Sequence, residues 1–254
     1  TRETADSGSP WDSDVEECYP GCYSMGVPDV RRARPDGLAK GYLMDLASVI
    51  AADQLPVQSG WKIWDACAAP GGKLLRLIAR SNSGCELIAT DLSRARVAKL
   101  RAVLEEHVER ERMDAVRVLP ADAVNWGYRN QARFDAVMLD APCSSERHVL
   151  ADPKALSQWR PNRVVSLAKR QYALLCSAVL ACRPGGFALY TTCAVNDHEN
   201  DGVMDRYLER KPGMIETVPV TPAIGSPTRR GWIIRPDMDE GWGPMYFSLV
   251  GRLR

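Results

Sequence analysis

The segment that decides the fold is KIWDACAAPGGKLLRLIAR, which spans residues Lys62–Arg80. It begins with an apolar run ending at Asp65, turns through a glycine-containing loop, and continues with apolar residues at helical spacing. In a doubly wound sheet, ligands bind outside the carboxyl ends of the strands, where a strand turns into its helix. Gly71 and Gly72 allow close backbone approach to a ligand, and Pro70 stiffens the loop. The spacing matches neither GxGxxG nor GxxxxGKS/T, which argues against a dinucleotide site or a P-loop.

The rest of the chain alternates short apolar runs with helical patterns. The strand-like runs after the first are CELIATD, VRVLPAD, FDAVMLDAP and GFALYTTC, and helical patterns follow most of them. This alternation predicts an α/β fold with a mostly parallel sheet and helices on both faces. Two later runs, GWIIRP and PMYFSLVGRL, have no helix between them and predict an antiparallel edge. An earlier helix is predicted from Gly41, within GYLMDLASVIAADQL.

Two regions are expected along the 254 residues. Residues 1–38 are rich in charged residues, Ser, Pro and Gly and have no sustained period, which predicts an irregular N-terminal extension. Residues 39–254 are predicted to form one domain, since 45% hydrophobic content is enough for a sizeable core. The first residue is Thr1, which is typical of a trimmed or processed chain.

Composition narrows the functional classes. The net charge is +1, from 33 basic and 32 acidic residues, so any basic face for nucleic acid must be local. The candidate phosphate contacts are Arg31, Arg32, Arg34, Arg160 and Arg163. Eight cysteines without dense pairing predict reduced thiols, and Cys18 with Cys22 lacks the second pair that a zinc site needs, so no metal is expected. No uninterrupted run of about 18 apolar residues occurs, so no membrane span is predicted.

Acidic residues end four successive strand-like runs. Asp65 ends the first, Asp91 the second, Asp122 the third and Asp140 the fourth. One such residue is common as a helix N-cap, but four in order indicate a pocket. Asp91 lies at the chain distance at which an acidic residue binds ribose hydroxyls in nucleotide-binding α/β folds. Together the carboxylates suit a ligand with hydroxyl, amino and ammonium groups, and S-adenosylmethionine has all three.

Two cysteines follow neighbouring strand ends. Cys143 lies in DAPCSS after the fourth run and Cys193 ends TTC after the fifth, so both are expected at the same edge of the sheet. A thiolate can add to C6 of a pyrimidine and make C5 nucleophilic enough to accept a methyl group, while a second thiol or base assists release. A single buried cysteine usually packs as a small hydrophobe. Two cysteines close to Asp140 instead favour a role in this covalent catalysis.

In this order, DACAAPGGK, ATDLSRARVAKL, DAPCSSERH and RPGGFALYTTCAVNDHEND resemble the Sun/Fmu (NOL/NOP/Sun) family of RNA cytosine-C5 methyltransferases over roughly residues 40–254. The resemblance implies a Rossmann-like class I fold that uses S-adenosyl-L-methionine. It assigns the nucleophile to Cys193, assistance in release to Cys143, and orientation of the methionine amino group or the cytosine edge to Asp140. The other residues that it assigns to the cofactor site are Cys67, Ala68, Ala69, Pro70, Gly71, Gly72, Lys73, Asp91, Arg96, Asp122 and Ala123.

Within that set the resemblance implies distinct roles. Residues 67–73 would cradle the methionine end of the cofactor, and Asp91 would hold its ribose. Asp122 would hold the adenine, with Ala123 beside it. Arg96 would help to seat the cofactor.

More narrowly, YLMDLAS, CSSERHVL and GWGPMYF are similar to the mitochondrial ribosomal RNA methyltransferases of that family. This similarity implies RNA as substrate, namely ribosomal RNA or a small-subunit precursor, and location in the mitochondrial matrix, with the cytoplasm as the alternative. It also implies a helical-repeat partner of the mitochondrial termination-factor family. Two other hypotheses stay open: a ribosome-assembly factor that retains the fold without turnover, and a DNA-type or small-molecule methyltransferase, in the DNA-type case with Cys143 as nucleophile.

Overall fold

A computed structural model describes residues 16–24, 37–39, 41–81 and 84–254. The predicted N-terminal extension lies largely outside the described residues, because only 16–24 and 37–38 of it are included. The candidate phosphate contacts Arg31, Arg32 and Arg34 also lie outside them.

The described part of the chain contains eleven strands and nine α-helices. The strands are β1 Glu16–Tyr19, β2 Cys22–Ser24, β3 Lys62–Asp65, β4 Glu86–Asp91, β5 Val116–Pro120, β6 Phe134–Asp140, β7 Cys182–Thr192, β8 Ile215–Val218, β9 Ser226–Pro227, β10 Trp232–Ile234 and β11 Met245–Arg252. The helices are α1 Leu46–Asp53, α2 Gly72–Arg80, α3 Arg94–His107, α4 Arg110–Met113, α5 Ala123–Arg129, α6 Glu146–Ala151, α7 Pro153–Gln158, α8 Pro161–Ala181 and α9 Asp201–Arg210. A short 3₁₀ helix covers Asp197–Glu199.

The main sheet has the strand order β5-β4-β3-β6-β7-β11-β10-β9, and β8 also pairs with β11. Strands β3 to β7 are mutually parallel, whereas β11 runs antiparallel to β7, β8 and β10. The chain first adds strands outward from β3 to β5 and then returns to the other side of β3 with β6. This reversal opens a crevice at the carboxyl ends of β3 and β6, which is where open α/β sheets bind ligands.

Helices cover both faces of this sheet. Helices α1, α2 and α3 contribute to one hydrophobic layer and α5, α8 and α9 to the other. Trp64 on β3 is fully buried and packs against Trp126 and Phe134, with its indole N–H donating to Thr90 Oγ1 over 2.9 Å. The predicted α/β architecture, with its parallel centre and antiparallel edge, is confirmed.

Helix α8 is long and apolar enough, over Asn162–Ala181, to meet a length-and-composition criterion for a membrane span. The sequence showed no uninterrupted apolar run there because Lys169 and Arg170 break it. A core helix meets the same criterion, and Leu174, Leu175 and Val179 pack into the hydrophobic layer on the sheet. The packing of α8 therefore accounts for its apolar face.

The first helix begins later than the sequence predicted. Helix α1 begins at Leu46, and the Asp45 carboxylate caps it by accepting from Ala47 N over 2.9 Å. Residues 41–45 instead run as irregular chain beside the α2 and α3 helices. An N-cap carboxylate satisfies an N–H group that has no partner within the helix, and so fixes where the helix starts.

Candidate functional site

The loop between β3 and α2 is fixed by hydrogen bonds to both neighbouring strands. Ala66 N donates to Met138 O on β6, and Ala68 N donates to Thr90 O on β4, each over 2.9 Å. Gly71 has a φ of 122°, and a Cβ there would lie 2.8 Å from Leu100 Cδ1. A Cβ on Gly72 would lie 2.9 Å from the Tyr42 ring. Both glycines are thus required by packing against protein groups, beyond any close approach to a ligand.

A cavity of about 230 Å³ opens beside this loop. It is lined by Tyr42, Leu43, Met44, Asp45, Ser48, Asp65, Cys67, Ala68, Ala69, Pro70, Gly71, Gly72, Lys73 and Asp140. All seven predicted loop residues and Asp140 are thus brought together. The wall formed by residues 42–45 was not predicted. The other predicted site residues do not line this cavity.

Asp65 is the most unusual group in the cavity. Its side chain is 1% exposed, and within the described residues neither carboxylate oxygen makes a hydrogen bond of normal geometry. Burial raises the pKa of Asp65 to about 8, and the charge of Asp140 raises it further, while Lys73 opposes the shift. A buried carboxyl group without partners is costly to the free protein. Such a group is suited to receive a donor from a ligand.

Asp91, at the end of β4, makes a hydrogen bond through one carboxylate oxygen and an ion pair through the other. Its Oδ1 accepts from Ser93 N over 3.0 Å, whereas Oδ2 is buried and makes no hydrogen bond to the described residues. Arg96 places Nη1 3.3 Å from that Oδ2 and donates through Nη2 to Ala69 O. Arg96 therefore connects the strand-end carboxylate to the loop after β3.

Asp122 acts as the N-cap of α5. Its Oδ1 accepts from Val124 N over 3.2 Å and its Oδ2 from Asn125 Nδ2 over 2.8 Å. Ala123 is 5% exposed, and its carbonyl accepts from Ser177 Oγ over 2.6 Å. These contacts give both residues a structural role, and their contact with an adenine stays a prediction.

Asp140 at the end of β6 connects the cavity to the cysteines. Its Oδ2 accepts from Lys73 Nζ and its Oδ1 from Thr191 Oγ1, both over 2.8 Å. Burial lowers the pKa of Lys73, but the Asp140 charge and hydrogen bond outweigh it and leave the pKa above its ordinary value. Lys73, the second residue of α2, is therefore a cation that Asp140 holds at the end of β6.

The two cysteines meet as predicted at adjacent strand ends. The Sγ atoms of Cys143 and Cys193 are 2.6 Å apart, and both thiols are free. Cys193 N donates to Cys143 Sγ over 3.3 Å, and Ser145 Oγ lies 3.2 Å from Cys193 Sγ. Ser145 has a positive φ of 55°, which is uncommon for a residue other than glycine. In this backbone conformation the Ser145 hydroxyl contacts the Sγ atoms of both cysteines.

The pair is asymmetric in its acidity. The hydrogen bond with Cys143 lowers the pKa of Cys193 against the effect of burial, and the Ser145 hydroxyl lowers it further. The same bond to Cys193, together with burial, raises the pKa of Cys143. Cys193 therefore ionises first while Cys143 keeps its proton and donates it. Burial also raises the pKa of Cys67, which makes that thiol unsuited to nucleophilic attack.

The chemistry of these groups fits S-adenosylmethionine. Its ammonium group and ribose hydroxyls are donors, and the Asp65 oxygens and Asp91 Oδ2, which make no hydrogen bond to the described residues, are acceptors. Ligand pockets commonly enclose about 300–1,000 Å³. The cavity beside the loop, at about 230 Å³, is smaller than this range. The roles of its residues toward the methionine end, and of Asp91 toward the ribose, stay predictions.

Comparison with known proteins decides the family. The family described as 16S rRNA methyltransferase RsmB/F matches residues 52–228. The chain belongs to this family. RsmB/F membership confirms the Sun-family resemblance, and with it S-adenosylmethionine as the cofactor of the family.

Relatives of this RsmB/F chain cover most of its length. The 5-cytosine rRNA methyltransferase NSUN4 of Xenopus laevis is 32% identical over 92% of the chain and 63% of its own length. The mitochondrial tRNA (cytosine(34)-C(5))-methyltransferase of Mus musculus is 30% identical over 90% of the chain and 69% of its own. The chain thus spans less than two thirds of the Xenopus relative.

A solved structure confirms the fold. NSun6 from Pyrococcus horikoshii with SFG superposes with a TM-score of 0.74 over 90% of this chain and 57% of that one, at 22% identity. The predicted class I methyltransferase fold is therefore confirmed.

Several site residues were missed by the sequence analysis. Asp65 was counted among the strand-end acids but received no role, although its position before the loop was the available signal. Ser145 stands two residues after Cys143, and Thr191 two before Cys193, so adjacency to the motifs could have found both. Tyr42 and Met44 reach the site only through tertiary packing.

Proposed function

We propose that this RsmB/F chain is an S-adenosylmethionine-dependent RNA cytosine-C5 methyltransferase that acts on ribosomal RNA through a covalent adduct of Cys193 with cytosine C6. The observation that carries the proposal is the asymmetric thiol pair, with Sγ atoms 2.6 Å apart, beside Asp140 at the edge of the cofactor cavity. Family membership and the activity for which the Xenopus relative is named support cytosine C5 as the target and ribosomal RNA as the substrate.

The first step uses the acidity difference between the thiols. The Cys193 thiolate forms a bond to C6, and the electron pair of the C5–C6 double bond moves onto C5 and the ring. The cofactor, when bound, supplies a methyl group on a sulfonium centre for C5 to take. Lys73 contributes a positive charge, because the charge and hydrogen bond of Asp140 outweigh the effect of burial on its ammonium.

The second step uses Cys143. While Cys193 is an anion, the hydrogen bond to it keeps the proton on Cys143. Once Cys193 is bonded to carbon, that anion is gone and the Cys143 thiol ionises more readily. Cys143 can then accept the C5 proton, directly or through water, as the electron pair reforms the double bond and expels Cys193 as a thiolate. The thiols therefore exchange roles between attack and release.

Asp140 is placed to bind the cytosine ring in this scheme. Its carboxylate is bound by Lys73 and Thr191, which fixes its orientation. About a third of its side chain is exposed, at 35%, so it can still accept a hydrogen bond from the cytosine amino group. We assign Asp140 to orientation of the cytosine edge rather than to proton transfer.

Bisulfite mapping tests the activity and the RNA class together. RNA from cells with and without the protein is sequenced for 5-methylcytosine in ribosomal and transfer RNA, with a Cys193→Ala strain as the inactive control. We expect one or more ribosomal cytosines to lose methylation in both deficient strains. Loss confined to transfer RNA would contradict the ribosomal substrate, since one relative carries that activity in its name. Unchanged methylation everywhere would favour the assembly-factor hypothesis.

We also propose a mitochondrial matrix location and a helical-repeat partner of the termination-factor family. The support is the similarity to a relative named as mitochondrial and the small net charge of +1, which gives the chain little general attraction for RNA. The isolated chain should bind ribosomal RNA weakly and with marked salt dependence. Tight binding that persists at high salt would contradict the need for a partner.

A further inference from the structure

Behind the two cysteines lies a buried carboxylate that the proposed chemistry does not use. Glu199, at the end of the 3₁₀ helix after β7, is 0% exposed. Its Oε2 accepts from Ser144 N over 2.9 Å and from Gln171 Nε2 over 2.8 Å. Its Oε1 accepts from Asn196 Nδ2 over 2.8 Å. The side chain thus receives three donors in a fully enclosed place.

These donors come from the loops that carry the thiols. Ser144 directly follows Cys143, and Asn196 is three residues after Cys193. One carboxylate therefore holds both loops at a fixed separation. Gln171 on α8 adds a second contact to the first loop by donating to Pro142 O over 2.9 Å. This shared attachment supports the direct bonds between the two loops, which Asn196 Nδ2 makes to Ser144 Oγ and Glu146 Oε1.

The contacts of Glu199 are hydrogen bonds from neutral groups. Two of the three donors, Ser144 N and Asn196 Nδ2, belong to the loops that carry Cys143 and Cys193, and the third, Gln171 Nε2, comes from α8. Glu199 therefore connects the two loops to each other and to the helix behind them.

We propose that Glu199 is a positioning residue that holds the two cysteine loops at a fixed separation and so keeps the Cys143 thiol in contact with Cys193. That contact lowers the pKa of Cys193, so loss of the attachment should weaken the difference between the thiols. Its meaning for catalysis rests on the proposed function. The asymmetry of the thiols is nevertheless a property of the protein alone and can be measured without RNA or turnover.

The first test variant is Glu199→Gln, which keeps the size of the side chain. Glutamine replaces one acceptor oxygen with an amino group, so a donor then faces a donor at Ser144, Gln171 or Asn196. The charge is lost and at least one attachment between the loops is broken. A loss of stability is also expected, because a buried hydrogen bond is removed.

The matched control is Asp201→Asn. Asp201 is a buried carboxylate only two residues away, and it accepts from Tyr246 Oη, Thr228 Oγ1 and Arg229 N. None of these donors belongs to a cysteine loop. This variant therefore reports the loss of stability that follows from removing a buried carboxylate without disturbing the thiols.

The measurement is the rate of alkylation by iodoacetamide at Cys193 and at Cys143 between pH 5 and pH 10, read by mass spectrometry of the two peptides. In the native chain and in Asp201→Asn, Cys193 should react first, with its midpoint below that of an ordinary thiol. In Glu199→Gln, the rate at Cys193 near neutral pH should fall about tenfold, as for a rise of one pKa unit. The ratio of the two rates should approach one.

A second variant protects the test against a fold that fails. Asn196→Ala removes the donor that binds Glu199 Oε1 from the Cys193 loop, together with the bonds of Asn196 Nδ2 to Ser144 Oγ and Glu146 Oε1, and it should lower the ratio in the same direction. The proposal is overturned if Glu199→Gln, or Asn196→Ala where the former does not fold, keeps the native ratio and midpoint while its thermal stability drops as in Asp201→Asn.

The outcomes also separate this inference from the proposed function. A native chain that shows the thiol asymmetry but forms no adduct with RNA and methylates none would defeat the methyltransferase proposal and leave the role of Glu199 standing. A native chain and a Glu199→Gln variant that methylate RNA at equal rates with equal pH profiles would defeat the role of Glu199 and leave the activity standing.

Discussion

The cofactor side of the site and the thiol side are built on opposite principles. At the ends of β3 and β4, three buried carboxylate oxygens of Asp65 and Asp91 make no hydrogen bond to the described residues. On the thiol side, Asp140 at the end of β6 is bonded to Lys73 of α2 and to Thr191 of β7, and the thiols of Cys143 and Cys193 are bonded to each other. The first side is left incomplete for a ligand, and the second is assembled in advance.

This difference has an energetic meaning. Unpartnered buried acceptors destabilise the free protein, and a ligand that supplies the missing donors recovers that free energy on binding. A prearranged set of reacting groups does not need to reorganise when the substrate arrives. Changes on the two sides should therefore separate into effects on cofactor affinity and effects on rate.

The largest effect is expected for Cys193→Ala. Methyl transfer should be lost completely, because the attacking thiolate is absent, while affinity for S-adenosylmethionine stays within about twofold, since the carboxylates of the other side are untouched. Titration calorimetry and a radiolabelled methyl transfer assay measure the two quantities. A large loss of cofactor affinity would show that the two sides are not separate. Cys85→Ala, in the core at the start of β4, is the control for removing a buried thiol.

A smaller loss of rate is expected for Lys73→Met. Methionine keeps most of the length of the side chain but removes the ammonium that binds Asp140 over 2.8 Å. We expect kcat to fall roughly a hundredfold, in the range reported for loss of one electrostatic contact to a reacting group. Steady-state kinetics with saturating cofactor provide the measurement. A change confined to the KM for S-adenosylmethionine would move Lys73 to the cofactor side.

Cofactor affinity should respond to Asp91→Ala. Loss of the carboxylate removes the acceptor for the ribose hydroxyls, which should weaken binding of S-adenosylmethionine by about 1–3 kcal/mol. The control is Asp53→Asn, since Asp53 pairs with Arg76 away from the cavity lining. Unchanged affinity in folded Asp91→Ala protein, by calorimetry, would remove Asp91 from the site.

The smallest effect concerns stability and its dependence on pH. The folded-state pKa of Asp65, about 8, is higher than the ordinary value of 3.8. The folded chain therefore holds a proton that the unfolded chain releases between these values, so this group lowers stability as the pH rises through that window. Asp65→Asn should remove the dependence and stabilise the free protein by about 2 kcal/mol at pH 8, while weakening cofactor binding.

Thermal unfolding of native protein and Asp65→Asn at pH 5 and pH 8, without cofactor, measures this effect. The stability advantage of Asp65→Asn should be larger at pH 8. An advantage that shrinks as the pH rises would mean that the carboxyl group is ionised and satisfied in the folded chain, contrary to the unpartnered oxygens.

The sequence predicted those parts of the site that depend on strand ends. Parallel strands bring their carboxyl ends to one edge, so Asp65, Asp91, Asp140 and the two cysteines could be placed together from alternation alone. Glu199 could not, because its role comes from burial and from donors on two separate loops and α8. Asp122 shows the limit of the pattern: it follows a strand as predicted, but its oxygens are occupied by the N-terminus of α5.

In the fold as well, the sequence predicted some elements and missed others. The long buried strands and the long helices α3 and α8 have enough residues to show their periods. Helices α6 and α7 have six residues each, which is under two turns, so no period could reveal them. The sequence analysis included segment 41–45 in a helix because its apolar residues continue the spacing. In the structure, the Asp45 cap makes the helix begin at Leu46, after this segment.

The most direct test of the account is a covalent trap of RNA by the two cysteine variants. Native chain, Cys193→Ala and Cys143→Ala are each incubated with ribosomal RNA and S-adenosylmethionine, and protein–RNA bands that survive a denaturing gel are quantified. We expect the band to accumulate with Cys143→Ala, which can form the Cys193 adduct but is slow to release the RNA. We expect no band with Cys193→Ala. The reverse pattern would contradict the assignment and make Cys143 the nucleophile.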